Sequence, residues 1–380
     1  MISKTSILKT LDATIGAVSC ALTSVFVSQN HSHVAARTDL LADVRRILVI
    51  RPGGLGDMIL ALPVVRAIAE AYPDAELDLV SESRNVSVVP SDSISGKRYC
   101  YDRHPFQLLR ALRARRYDVV VDLEQFHHFS AIFSWLTGAH TRVGFRINPR
   151  RNNLYTHLVD YDLEGFEGHE FMRVLGPLGI QDAGYELEGV LSVPKALAGA
   201  EEMRTVAICT GSSTRHKRWE RERMVQLIQA VVQDRNFRVV LVGSRPERQE
   251  ADWIVQEVGQ QEPGRVENHV GEGGLDSVAA MLAGADCFIG CDSGLAHMAV
   301  AVGTPTVVLF GPSDERKWGH QSGPHQVVRE SLSCSPCAMF GYYKRCQTLA
   351  CMKQISVDDV LRAVDRVMAA RSAQEVSAVR

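Results

Sequence analysis

The chain has 380 residues, 46% hydrophobic and 23% charged, enough for two domains with separate cores, and its composition excludes disordered and collagen-like classes. With 42 Lys and Arg against 44 Asp and Glu the net charge is -2, so no global basic field awaits a nucleic acid, and any charged ligand must be held locally. Nine cysteines are too few for a disulfide scaffold and several lie in apolar runs such as Asp286-Cys287-Phe288, which fits a reducing, cytoplasmic compartment.

Residues 1–40 form a leader. Ala13 to Val27 is uncharged but broken by Thr14, Ser19, Thr23 and Ser24, shorter and more polar than the roughly 20 apolar residues of a membrane span. Its apolar positions, Ile7, Leu8, Leu11, Ile15, Val18, Leu22, Val25 and Phe26, recur at three- and four-residue steps and form one helical stripe, with Lys4, Lys9 and Asp12 off it. Three placements fit such a stripe: a membrane-surface contact through residues 4–27, a helix packed on the protein body, or a cleaved secretory signal with Val34-Ala35-Ala36 as its small-residue site.

From Arg46 the pattern becomes strand, glycine loop, helix: Ile47 to Ile50, then Pro52-Gly-Gly-Leu-Gly56, then Met58, Leu60, Leu62, Val65 and Ile68 at helical spacing. Strands follow at Leu77 to Val80 and Val119 to Val121, the latter behind a basic helix from Leu108 to Arg116. The pattern restarts near residue 205, with strands at Val206 to Ile208, Arg238 to Val242, Cys287 to Ile289 and Thr306 to Phe310, and helices at Met224 to Val232 and Leu275 to Ala283. Apolar strands alternating with helices predict parallel sheets covered on both faces. Glu164 to Ala200 loses periodicity and carries Pro177 and Pro194, which places a domain crossing there, and Ser356 to Asp359 opens a last helix with a capping box.

Ligands of open parallel sheets bind beyond the carboxyl ends of strands, so the loops after Ile50 and Ile289 are the places to look. In Arg51-Pro-Gly-Gly-Leu-Gly-Asp57 the glycines do not fit G-x-G-x-x-G, and Asp57 stands where a pyrophosphate would meet the helix. Asp57 reads either as the N-cap of the following helix or as a general base held by a rigid turn. In the second loop, Asp292-Ser293-Gly294-Leu295-Ala296-His297, backbone N–H groups at a helix start suit an anion, while Asp292 and Ser293 also read as caps and His297 as a core histidine. Thr210-Gly-Ser212-Ser-Thr-Arg-His-Lys217-Arg-Trp219 adds hydroxyls and cations on the same sheet edge, so a nucleotide diphosphate is the favoured ligand.

At these residues the chain resembles glycosyltransferase family nine, the bacterial heptosyltransferases. The matching text is Arg46-Ile-Leu-Val-Ile-Arg51 with Gly53-Gly-Leu-Gly-Asp57, Arg142-Val-Gly-Phe145, His216-Lys-Arg-Trp219, Asp292 to His297, Gly303-Thr-Pro-Thr306 and Phe310-Gly-Pro312. The resemblance implies an α/β GT-B fold with two facing Rossmann-like domains. Residues 41–185 are then the acceptor domain, 186–355 the nucleotide-sugar donor domain, and 356–380 a helix returning to the first domain.

It further implies inverting transfer of a heptose from a nucleotide diphosphate sugar, ADP-heptose above all, to a lipid-linked anionic saccharide of the lipopolysaccharide core. Asp57 corresponds to the catalytic base. Thr210, Ser212, Lys217, Asp292, Ser293, Gly294, Leu295 and His297 hold the donor, and Gly54, Gly56, Arg142 and Arg146 meet the acceptor. No cofactor or metal is expected, and the leader fits a peripheral position on the inner face of the inner membrane.

Cys334, Cys337, Cys346 and Cys351 have a spacing open to zinc, but the wide second pair favours reduced structural thiols. Other readings remain: a different GT-B nucleotide-sugar transferase or hydrolase, or a non-catalytic sugar-binding or assembly protein. An NAD-dependent oxidoreductase is disfavoured by the missing dinucleotide fingerprint.

Overall fold

A computed structural model describes residues 10–26, 43–181, 183–194, 196, 203–212, 214–259, 264–343 and 346–378. Lys4, Ile7, Leu8 and Lys9 of the leader, and Val34-Ala35-Ala36, lie outside the described residues. The chain divides into two compact units, Met1–Glu186 and Leu187–Arg380.

In the first unit β1 (Arg46–Ile50), β2 (Glu76–Ser81), β3 (Arg98–Cys100), β4 (Val119–Asp122), β5 (Thr141–Arg146) and β6 (His157–Asp160) form one sheet in the order 3-2-1-4-5-6. Every pairing is parallel. This is the strand order of a Rossmann sheet, in which the order of strand addition reverses between β1 and β4. Helices α1 (Ala17–Phe26), α2 (Leu55–Ala71), α3 (Pro105–Arg115), α4 (His128–Leu136), α5 (Pro149–Asn152) and α6 (Glu167–Met172) accompany it. Ile47 to Ile50 and Val119 to Val121 are almost wholly buried, which is why they read as unbroken apolar runs rather than alternating ones.

The second unit repeats the order. Strands β7 (Thr205–Cys209), β8 (Arg238–Val242), β9 (Val266–Asn268), β10 (Cys287–Cys291), β11 (Thr306–Phe310) and β12 (Gln326–Arg329) form a parallel sheet, 12-11-10-7-8-9. Its helices include α7 (Arg221–Gln233), α8 (Arg248–Gly259), α9 (Leu275–Gly284), α10 (Gly294–Ala301) and α11 (Val357–Ala378). The capping box at the start of α11 forms as expected, with Asp359 N–H donating to Ser356 Oγ and Ser356 N–H to Asp359 Oδ2, both at 3.1 Å. The apolar face of α11 is used within the second unit. Val360, Leu361, Val364 and Val367 are buried in that unit's core, against β10, β11, β12 and α7.

The leader helix has a π-helical turn at Asp12–Gly16 that runs on into α1 and packs on α4 and α5. Its seat is not the apolar stripe but the opposite face. The buried Asp12 carboxylate accepts from the His128 and Phe129 N–H groups at 2.9 and 2.7 Å, capping α4, and Cys20 is fully buried beside Ala131 and Leu154. Gly16 lies so close to the His128 side chain that a Cβ would stand 3.0 Å from it. Among the described residues no helix is long and apolar enough to cross a membrane.

Candidate active site

At the switch point of the first sheet the loop after β1 turns through Gly53, whose φ of 122° favours glycine, into α2. Gly54, not Asp57, is the N-cap, which corrects the sequence reading. Asp57 is the third helical residue, and its Oδ2 reaches back to accept from the Gly54 N–H at 2.7 Å. A Cβ on Gly54 would stand 2.9 Å from that oxygen, so the glycine is what allows the carboxylate this approach.

The other oxygen, Oδ1, pairs at 2.8 Å with Nη2 of Arg51, which is 2% exposed while Asp57 is 28% exposed. Two of the roughly four lone-pair positions of the carboxylate are thus used and the group remains open to solvent. Capping and basicity are compatible: the bonds that orient Asp57 leave it acceptor capacity for a proton.

Arg51 is the hub that sequence reasoning missed. Its Nη1 pairs with Glu124 Oε2 at 3.3 Å and donates to the Leu123 carbonyl at 3.2 Å, joining the loops after β1 and β4. Glu124 also accepts from the N–H groups of Gln125, Phe126 and His127. Burial would raise the Glu124 carboxyl, but His127, Arg51 and Arg151 outweigh it and hold it well below the usual range. Behind it Arg151, fully buried, bonds Asp122 at 2.9 Å and the Glu124 carbonyl at 2.7 Å, and Tyr155 Oη donates to Asp122 at 2.6 Å. At Asp122 burial prevails and its carboxyl is raised. The only sequence signal was the charge itself, with Arg51, Asp122 and Glu124 at or just past the ends of apolar strands and Arg151 in the short helix α5.

The second sheet carries the corresponding loops after β7 and β10. Lys217 Nζ meets Asp292 Oδ2 at 2.5 Å, the side chains 18% and 8% exposed. Burial works against the charge of Lys217, yet Asp292 and Tyr343 outweigh it and the ammonium pKa is raised. Burial likewise opposes the Asp292 charge and Lys217 overcomes it, so both groups are ionised. Ser212 Oγ donates to the Asp292 carbonyl at 3.3 Å, and Arg218 holds the Ser212 carbonyl.

Ser293 is the N-cap of α10 but its hydroxyl makes no capping bond. The buried hydroxyl oxygens of Thr210, Thr214 and Ser293 have no partner among the described residues. Buried hydroxyls are costly when unpaired, and the first N–H groups of α10, at Gly294 and Leu295, have no carbonyl within the helix to bond. The arrangement is that of a site built for an anion with several acceptor oxygens.

His297, buried on α10, has its Nδ1 3.1 Å from His320 Nε2. His325 lies beyond, its Nε2 2.9 Å from Glu188 Oε1 and its ring 6.0 Å from that of His320. The expected donor residues Thr210, Ser212, Lys217, Asp292, Ser293, Gly294, Leu295 and His297 therefore lie on two adjacent loops of one sheet edge and on the start of α10.

The acceptor residues divide. Gly54 and Gly56 belong to the Asp57 turn, and Arg146 is exposed at the carboxyl end of β5, paired with Asp160 at 3.0 Å. Arg142 sits near the start of β5, with its guanidinium donating to the carbonyls of Leu154, at 2.8 Å, and Ala139.

Two Rossmann-type units, with an oriented carboxylate at one switch point and a buried Lys217–Asp292 pair beside unbonded hydroxyls at the other, give the α/β architecture found in GT-B glycosyltransferases. The model of glycosyltransferase family 9 (heptosyltransferase) matches residues 106–343. The chain belongs to that family and is a glycosyltransferase.

It is 28% identical over 290 residues to lipopolysaccharide heptosyltransferase 3 of Escherichia coli, covering 69% of this chain and 82% of that one. Its fold matches the structure of the E. coli ADP-heptose lps heptosyltransferase II with a TM-score of 0.69 at 22% identity, over 86% of this chain and 99% of the other. E. coli heptosyltransferase WaaC with ADP-2-deoxy-2-fluoro heptose matches with a TM-score of 0.64 at 18% identity, over 84% and 99%.

Proposed function

We propose that this enzyme transfers a heptose, with inversion, from ADP-heptose to a hydroxyl of a lipid-borne lipopolysaccharide core, working peripherally at the inner face of the inner membrane. The observation that carries the reading is the pairing of a desolvated Lys217 with Asp292 beside the unpartnered hydroxyls of Thr210, Thr214 and Ser293. A leaving diphosphate supplies the acceptor oxygens that these groups lack. The relatives' names supply the sugar and the acceptor.

In the proposed step Asp57 takes the proton of the acceptor hydroxyl as its oxygen bonds to the anomeric carbon, and the bond from that carbon to the diphosphate oxygen breaks. ADP departs with its new charge held by Lys217 and the N–H groups at the start of α10. Arg51 fixes the orientation of the Asp57 carboxylate. Arg146 is the acceptor contact favoured over Arg142, whose guanidinium is already committed to two backbone carbonyls.

The test is turnover of ADP-heptose with a deep-core lipopolysaccharide acceptor, following ADP release and acceptor mass together. A heptose-sized mass gain is expected, and Asp57→Asn should lower turnover by roughly 100-fold or more while donor affinity stays nearly unchanged. Equal loss of affinity and turnover would return Asp57 to a purely structural role. ADP binding without a mass gain would keep the donor site and send the search to other sugars.

A further inference from the structure

The leader helix turns its apolar stripe outward. Leu11, Ile15, Val18 and Leu22, at steps of four, three and four, are 39%, 55%, 61% and 61% exposed, although they are large aliphatic side chains. The opposite face is fixed to the body by the Asp12 cap and by Cys20, so the stripe is displayed by a docked helix and not by a loose tail. Beside the stripe a groove of about 690 Å³ is lined by Ala13, Thr14, Ile15, Ala17, Val18 and Ser19, with Arg150 of α5 at its edge. Arg150 is exposed, and its guanidinium has no partner among the described residues.

We propose that this face is an interfacial docking surface for an anionic phospholipid bilayer, with the stripe among the acyl chains and Arg150 on a lipid phosphate. The charge balance favours that occupant. Among the described residues of the leader, 10–26, Asp12 alone is charged and it is buried on the body, so the charge beside the groove is the cation of Arg150.

A second copy of the chain fits less well. The described helix, at about 1.5 Å per residue, is roughly 25 Å long. Pairing two such stripes buries on the order of 500 Å², well under the roughly 1,000 Å² of a stable interface. The docking stands on this geometry. Its use, bringing the enzyme to a lipid-borne acceptor, rests on the function proposed above.

Flotation of the full-length protein with vesicles of phosphatidylcholine alone, or containing phosphatidylglycerol, tests it without any saccharide, so the outcome is independent of the transferase assay. The protein should float with the phosphatidylglycerol vesicles. The pair Ile15→Ser and Val18→Ser should weaken partitioning at least tenfold, and Arg150→Gln by about fivefold on anionic vesicles only. Thermal stability should be unchanged, since all three side chains face solvent. Equal flotation of the wild type and the Ser pair, whether both float or neither, would overturn the proposal. So would a concentration-dependent dimer that the Ser pair abolishes.

Discussion

The two sheets share a strand order, and each places two loops at its switch point, yet the loops are finished differently. In the first unit the charges neutralise one another: Asp57 and Glu124 share Arg51, and Asp122 has Arg151 and Tyr155. In the second the buried pair of Lys217 and Asp292 stands among hydroxyls that have no partner among the described residues. A network of paired charges fixes one side chain in one orientation, which suits a base. Unbonded hydroxyls keep donors in reserve for a charged ligand. One topology thus supports both tasks because function lies in the loops at the strand ends and not in the sheet.

The sharpest way to break the comparison is Arg51→Met. It removes a cation that two carboxylates share and leaves Glu124 buried with less compensation, so the first unit should lose about 3–5 kcal/mol. Faster hydrogen exchange of α2 peptides, with those of α7 and α8 unaffected, would check it; unchanged α2 protection would mean that the network is dispensable.

Lys217→Ala should raise the Kd for ADP by about 10- to 100-fold, the worth of a charge-assisted bond to phosphate, as read by calorimetry. Adding Asp292→Asn should restore thermal stability without restoring affinity, because a neutral amide no longer needs the ammonium.

A smaller effect separates reserve donors from structural ones. Thr210→Val and Ser293→Ala remove hydroxyls that have no partner among the described residues, so the ligand-free Tm should hold or rise slightly. Affinity for ADP should fall by about three- to tenfold for each, seen as a smaller Tm shift on adding ADP. A fall in the ligand-free Tm would show that these hydroxyls serve the fold.

Much of this was legible in the sequence wherever an element is buried on both faces. The strands around Ile47, Val119, Val206, Arg238, Cys287 and Thr306 stood out as apolar runs, and these fall at the centres of the two sheets. The outer strands did not: Arg98–Cys100, His157–Asp160 and Val266–Asn268 are short and half polar because they lie at or near the edges. The loops after β7 and β10 were readable as candidates because hydroxyls, glycine and lysine, the residue types a phosphate needs, stand close together in them. Arg51 and Glu124 were not, since their partnership joins residues 73 apart and leaves no local pattern. The leader stripe was read correctly as a stripe, but nothing in its periodicity told that Asp12, Gly16 and Cys20 would supply the seat.

Acid should weigh more on the second unit, where burial lowers two neighbouring histidines, than on the first, where it lowers His157 alone among the described residues. His320 lies between His297 and His325, and burial, with those two histidines adding to it, pushes its pKa down to about 2; burial lowers His325 as well, against the pull of Glu188. Because these folded values lie below the unfolded value of about 6.5, the unfolded chain takes up protons first as pH falls. Their contribution to the second unit is therefore intact above pH 6.5 and erodes from there downward. Glu124 behaves otherwise: its depressed carboxyl stabilises the first unit down to about pH 4.3, where an unfolded glutamate begins to protonate, and only below that is its contribution lost. Between pH 7.5 and 5.5 the urea midpoint read by tryptophan fluorescence, to which the second unit contributes Trp219, Trp253 and Trp318 and the first only Trp135, should fall. His320→Gln should reduce that fall, because a side chain that cannot titrate gives the unfolded state no protons to gain. An equal fall in the variant would place the acid sensitivity outside the histidine row.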